Sequence, residues 1–143
     1  MKTVADIFQR KGRTTISVDP ESTVLDALRL MAEKNIGSVV VMQHEYYLGL
    51  MTERDYSRKV ILMGKSSSDT QVKDIMTTGL PKVSLETTLE ECMQWMANKS
   101  IRYLPVFQGD YFAGIVSIND VIRETISSQQ ETIDYLHSFI HGS

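Results

Sequence analysis

Two stretches of the chain decide its fold: Gly49-Leu50-Met51-Thr52-Glu53-Arg54-Asp55 and Gly114-Ile115-Val116-Ser117-Ile118-Asn119-Asp120. Each reads as glycine, apolar strand end, then a hydroxyl residue followed three positions later by aspartate. They lie 65 residues apart, and the same offset extends outward without a gap. Val18–Arg58 aligns on Val83–Arg123, with 13 of 41 pairs identical, where ordinary composition would give roughly 3. Conservative pairs such as Leu50/Ile115, Tyr47/Phe112 and Thr52/Ser117 fill much of the remainder. One unit has been duplicated, so a pseudo-two-fold relation and two chances to bind a ligand follow.

Working outward, each copy repeats one order of elements. A β-prone run (Thr14–Val18) precedes Ser22-Thr23-Val24-Leu25-Asp26, whose counterpart is Thr87-Thr88-Leu89-Glu90-Glu91. Threonine with an acid three residues on is a helix N-cap signature. The helices then place Val24, Leu28 and Met31 on one face, matched by Leu89, Met93 and Met96. Two β runs around a short polar turn form a hairpin: Ser38–Met42 with Tyr46–Met51, and Tyr103–Phe107 with Tyr111–Val116. A second helix opens at Thr52 and at Ser117, the first spanning Glu53–Met63. The expected fold is therefore α/β (α+β), with two β-α-β-β-α motifs about a pseudo-two-fold axis, packed through their sheets.

At 143 residues, the chain reads as one module. The first motif spans 4–63, a linker spans 64–71, the second motif spans 72–126, and an amphipathic tail helix spans 127–143. Gly64 and the serine run after it are terminator and loop chemistry. Val72-Lys73-Asp74-Ile75-Met76 echoes Val4-Ala5-Asp6-Ile7-Phe8 at a spacing of 68. Ile126, Ile133, Leu136 and Ile140 recur at roughly helical spacing in the tail, for a dimer contact or for packing on its own domain.

Composition narrows the function. A net charge of −3 opposes a general nucleic-acid binder. No run of 18 apolar residues is present, so no membrane span is expected, and the N-terminal residues do not read as a signal peptide. The lone cysteine, Cys92, allows no internal disulfide, and a cytoplasmic protein is expected. Cys92 matches Ala27 as a small interior residue, while Trp95 and the methionines read as core filling. His44, His137 and His141 lie in a turn and in the tail, away from the aspartates. No nucleophile–base–orienter set or metal cluster appears, so neither an enzyme nor a metal protein is expected.

The two quoted stretches, with Asn35-Ile36-Gly37-Ser38-Val39-Val40-Val41 and Ser100-Ile101-Arg102-Tyr103-Leu104-Pro105-Val106, resemble a pair of cystathionine-β-synthase (CBS) motifs. The resemblance covers residues 4 to about 126 and extends to the small stand-alone CBS-pair proteins. It implies a homodimeric regulatory sensor of adenosine ligands, without an attached catalytic domain, that signals to a partner protein. It further implies that Asp120 with Ser117 and Asn119 completes a pocket lined by Thr15, Ile16, Ile36, Gly37 and Ser38. Asp55 with Thr52 would face Leu80, Val83, Ile101, Arg102, Tyr103 and Pro105, with Arg54 and Arg102 as phosphate donors. A carboxylate at a helix N-terminus suits two ribose hydroxyls, and the helix dipole suits phosphate. AMP, ADP, ATP or NAD fit those arginines better than the cationic S-adenosylmethionine. Two plainer readings stand beside this one. Thr/Ser-x-x-Asp is also simply a capping box, and the chain could be a structural dimerisation scaffold with vestigial nucleotide pockets. Arg58 and Arg123, three residues after each aspartate, read as its exposed ion-pair partners.

Overall fold

A computed structural model describes residues 1–141. It divides into two compact units, Thr15–Leu80 and the pair of segments Met1–Thr14 and Pro81–Ser143. The elements in chain order are α1 (Val4–Lys11), β1 (Ser17–Val18), α2 (Val24–Lys34), β2 (Ser38–Gln43), β3 (Tyr46–Thr52) and α3 (Glu53–Tyr56). The second copy supplies α4 (Leu89–Lys99), β4 (Tyr103–Gln108), β5 (Tyr111–Ser117) and α5 (Ile118–Ile140). The mixed α+β class and the doubled motif are as the repeat implies.

In the unit Thr15–Leu80, β1 pairs parallel with β2, and β2 antiparallel with β3. Val24, Ala27 and Met31 of α2 pack on Val39, Val41 and Met51 of the sheet. Thr23 caps α2 by accepting from the Asp26 N–H. The buried partners Val72 and Ile75 come from a 3-10 turn (Val72–Asp74) and the residue after it. The other unit is built likewise: Leu89, Cys92 and Met96 of α4 pack on Leu104, Val106 and Val116. Its lead-in residues are Val4, Ile7 and Phe8 of α1. The N-terminal lead-in thus packs with the second copy, and the lead-in at 72–76 packs with the first.

Two equivalent glycines make room for these exchanged lead-ins. A Cβ on Gly49 would stand 2.7 Å from the Thr77 carbonyl oxygen. On Gly114, at φ +149°, it would stand 3.0 Å from Phe8 Cζ. Both hairpins carry a register shift at the residues opposite these glycines, between Val41 and Met42 and between Val106 and Phe107.

Several expectations are corrected. The first β run of the second copy reduces to a single bridge, Val83 to Val106. In the first copy, Val40 donates its N–H to the Ile16 carbonyl at 3.1 Å. The donor's match is Pro105, opposite Pro81, and proline has no N–H to donate. The helix expected over Glu53–Met63 is α only to Tyr56 and continues as a π turn over Ser57–Ile61. The tail helix is not separate, because α5 runs unbroken from Ile118 through Ser127 and Ser128 to Ile140. Positions 142 and 143 of the expected tail lie outside the described residues. Trp95 and Met93 are exposed rather than core, as are Met1 and Met63. Cys92 and its match Ala27 are both fully buried.

Candidate functional site

The strand-to-helix junctions β3–α3 and β5–α5 set up the two candidate sites. Extended backbone at Thr52 and Ser117 ends each strand, and the hydroxyl side chain accepts from the N–H of the aspartate three residues on, at 3.1 Å in both copies. The aspartate answers: Asp55 Oδ2 accepts from Thr52 N–H at 3.0 Å, and Asp120 Oδ2 from Ser117 N–H at 2.9 Å. Thr3 with Asp6, and Thr88 with Glu91, make the same reciprocal cap. The cap is therefore a local folding device in its own right. Positions 55 and 120 differ in lying immediately beyond a strand, with Asp55 buried and Asp120 half-buried.

The second sequence fragment lies against each junction. Ser38 pairs with Thr52 and Tyr103 with Ser117 in the ladders. The Gly37 carbonyl accepts from Glu53 N–H at 3.2 Å, and the Arg102 carbonyl from Ile118 N–H at 2.8 Å. Within one unit this joins Ile36, Gly37 and Ser38 to Thr52, Arg54 and Asp55. Thr15 and Ile16 come alongside through the strand neighbouring β2. Within the other unit it joins Ile101, Arg102 and Tyr103 to Ser117, Asn119 and Asp120. There Val83 donates to the Pro105 carbonyl at 3.0 Å. Leu80 is the last residue of its unit and is half-buried. Arg54, Arg102 and Asn119 are exposed. An open groove of about 830 Å³ runs past Leu28, Met31, Ile36, Gly37, Arg54 and Arg58. It has an apolar wall and two guanidinium groups, and Asp55 does not line it.

The two carboxylates are in different states. Asp55 is buried, with Oδ2 also accepting from the Thr52 hydroxyl at 3.0 Å. Its Oδ1 accepts from the Thr77 hydroxyl at 2.7 Å and pairs with Lys59 Nζ at 2.8 Å. Both oxygens are saturated from inside the unit. Asp120 Oδ2 is held by Ser117 N–H and by Lys11 Nζ at 2.7 Å. Among the described residues, its Oδ1 meets only the exposed Arg123 guanidinium, at 3.6 Å. The expected ion pair from Arg123 is present. For Asp55, Lys59 rather than Arg58 is the partner, because the widened π turn sets position i+4 over the carboxylate.

Lys11, Lys59 and Thr77 are the residues that sequence reasoning missed. Lys59 carried a readable signal, being four residues after Asp55 on a helix. Its match at the 65-residue offset is Glu124, a reversal of charge. Glu124 is buried, and Arg10 of α1 answers it at 2.7 Å, with Lys2 at 3.7 Å. Lys11 and Thr77 reach their aspartates only because the lead-ins are exchanged. Burial pushes the Cys92 thiol up to about 11, with the neighbouring Glu91 charge adding to it. Burial likewise pushes the Tyr47 hydroxyl up to about 12. Neither is prepared for acid–base chemistry near neutrality. No group of three metal-ligating side chains occurs among the described residues, and no described helix is long and apolar enough to cross a membrane.

Comparison with known proteins adds to this geometry. The family model for the CBS domain matches the chain twice, over residues 3–61 and 72–127. A CBS domain-containing protein of Arabidopsis thaliana, CBSX3, named as mitochondrial, is 36% identical over 98% of this chain and 72% of its own length. The solved CBS domain structure NE2398 is 41% identical with a TM-score of 0.83, covering 87% of this chain and 98% of that one. A solved protein with CBS domains from Burkholderia ambifaria is 40% identical with a TM-score of 0.85, covering 90% and 96% respectively.

Proposed function

This chain is a member of the CBS-domain family, and we propose that it works as an adenosine-ligand-binding regulatory module. The ligand is one with free 2′ and 3′ hydroxyls, namely AMP, ADP, ATP or NAD. Its occupancy passes to a partner protein through a conformational or dimer-packing change, as an energy-sensing signal would. A cytoplasmic location belongs to the same reading and agrees with the single, unpaired cysteine. The chain acts by binding rather than by catalysis.

The observation that carries the reading is the half-engaged carboxylate of Asp120. Ser117 N–H and Lys11 fix one oxygen, while the other meets only an exposed arginine. A carboxylate held in place at one oxygen and available at the other suits a pair of ribose hydroxyls. The first turn of α5 brings N–H groups and a dipole suited to phosphate, and Lys11 adds a cation beside it. Such a ligand acts as a signal only through a difference in affinity between two arrangements of the protein.

The scaffold alternative draws its support from the first copy. Thr52, Thr77 and Lys59 saturate the Asp55 carboxylate, so ribose binding there would have to displace bonds already made. The working reading is therefore one active site at Asp120 and one vestigial site at Asp55. Titration with ADP and with 2′-deoxy-ADP tests the ribose contact. Loss of one hydroxyl against the half-buried Asp120 carboxylate should weaken binding about tenfold. Equal affinity for the two would remove Asp120 from that role.

A further inference from the structure

Each junction carboxylate has a lysine beside it, but the two copies draw that lysine from different places. Asp55 takes Lys59 from its own helical segment, at 2.8 Å. At the 65-residue offset Lys59 becomes Glu124, so α5 offers Asp120 an acid at that position. The lysine at Asp120 is Lys11, the last residue of α1, with Nζ 2.7 Å from Oδ2. The resemblance gave phosphate donors, Arg54 and Arg102, only to Asp55. Lys11 reaches Asp120 from 109 positions away.

The same charge reversal fixes where Lys11 stands. Arg10, the residue before it, donates from Nε to the buried Glu124 at 2.7 Å and from Nη2 to Ser127 Oγ at 2.8 Å. Those bonds pin the end of α1 to α5. An ammonium has three protons to donate. Lys11 gives one to Asp120 and one to the Ile115 carbonyl, at 2.7 and 2.8 Å, and its side chain is 39% exposed. The third proton can therefore meet a ligand oxygen. Because Lys11 bridges Ile115 and Asp120, it stands at the junction itself, beside the first turn of α5.

An uncompensated carboxylate at that place would repel a phosphate. Lys11 cancels its charge and adds a charge-assisted bond already held in position. A neutral nucleoside gains nothing from that bond, and a sulfonium meets a like charge. We propose that Lys11 is the specificity-determining residue of the Asp120 site. It selects adenosine ligands that carry phosphate over those with a neutral or cationic group in its place. This rests on the adenosine-binding reading and names the residue that chooses among its ligands.

Calorimetric titration of the full chain with adenosine, AMP and S-adenosylmethionine, on wild type and Lys11 variants, tests the assignment. Wild type should bind AMP about tenfold or more tightly than adenosine. Lys11→Met keeps the stem without the charge and should remove about tenfold of that preference. The same variant should bind S-adenosylmethionine more tightly, a gain that a merely structural role would not produce. Lys11→Gln should repeat both changes, and Lys11→Arg should keep the preference for AMP. No binding of adenosine or AMP by wild type would overturn the adenosine-binding reading, and this proposal with it. Equal affinity for the two in wild type would overturn the proposal alone. So would an AMP preference that survives in Lys11→Met and Lys11→Gln, even with every ligand weakened alike.

Discussion

Asp55 and Asp120 occupy the same place in the repeat, yet different side chains surround them. Thr77 and Lys59 close the first carboxylate, while Lys11 holds one oxygen of the second and the exposed Arg123 stands 3.6 Å from the other. Asp55 therefore contributes mainly to stability. Asp55→Ala strands the Thr77 hydroxyl and the Lys59 ammonium and removes a cap, and should cost about 2–3 kcal/mol. Asp120→Ala loses the same cap with fewer dependent bonds and should cost about 1 kcal/mol. Urea unfolding of the two variants measures the difference, and equal losses would count against the asymmetry. Cys92 gives a second residue-scale expectation. It is buried and its thiol is raised from 9.0 to about 11. Folding favours the protonated thiol, so its contribution is present in full below the ordinary value and is lost as pH rises through about 9 to 11. The folded chain should resist thiol reagents at pH 8 and react after denaturation, as absorbance of released chromophore would show.

Among the elements, the hairpins and helix starts were legible because their signals are local. Alternating apolar runs and Thr-x-x-acid spacing act within a few residues, and β2–β5 and the caps fall where those signals put them. The expected β run of the second copy failed on Pro105, whose missing N–H at the donor position matching Val40 was visible in the sequence but needed the strand register to be read. The π turn after Tyr56 has no comparable signal. The continuity of α5 was not legible because the chain beyond Arg123 has no counterpart in the repeat, so its apolar spacing was read as a separate tail helix, whereas Val121 and Glu124 anchor the start of one helix. Gly49 and Gly114 were seen as identical residues, while their reason, the close approach of the lead-ins, lies outside any local window. Gly114→Ala places a methyl group 3.0 Å from Phe8 Cζ at φ +149° and should destabilise by about 2 kcal/mol. Trimming the ring with Phe8→Leu should relieve the steric part and leave the backbone part. Thermal melts of the single and double variants would detect that coupling, and strictly additive losses would exclude it.

At the scale of the whole molecule, duplication gives two strand-to-helix junctions of the same origin, and on the proposed reading the differences between copies decide which one binds. The resemblance grouped Ile36–Ser38 with Asp120 and Ile101–Tyr103 with Asp55, whereas the ladders within each unit set Ile36–Ser38 beside Thr52 and Asp55, and Ile101–Tyr103 beside Ser117 and Asp120. Which aspartate is available was not legible, because it depends on a lead-in 109 positions from Asp120 in one copy and 22 positions from Asp55 in the other. Thermal unfolding with AMP, ADP, ATP, NAD and S-adenosylmethionine, on wild type, Asp55→Ala and Asp120→Ala, tests the central claim most directly. Ligand at a hundred times its dissociation constant adds about 2.7 kcal/mol, which raises the midpoint of a domain this size by roughly 5–10 °C. We expect such a rise with at least one phosphorylated ligand in wild type and in Asp55→Ala, and none in Asp120→Ala. No rise with any of the five at millimolar concentration, or a rise that survives in Asp120→Ala, would contradict it.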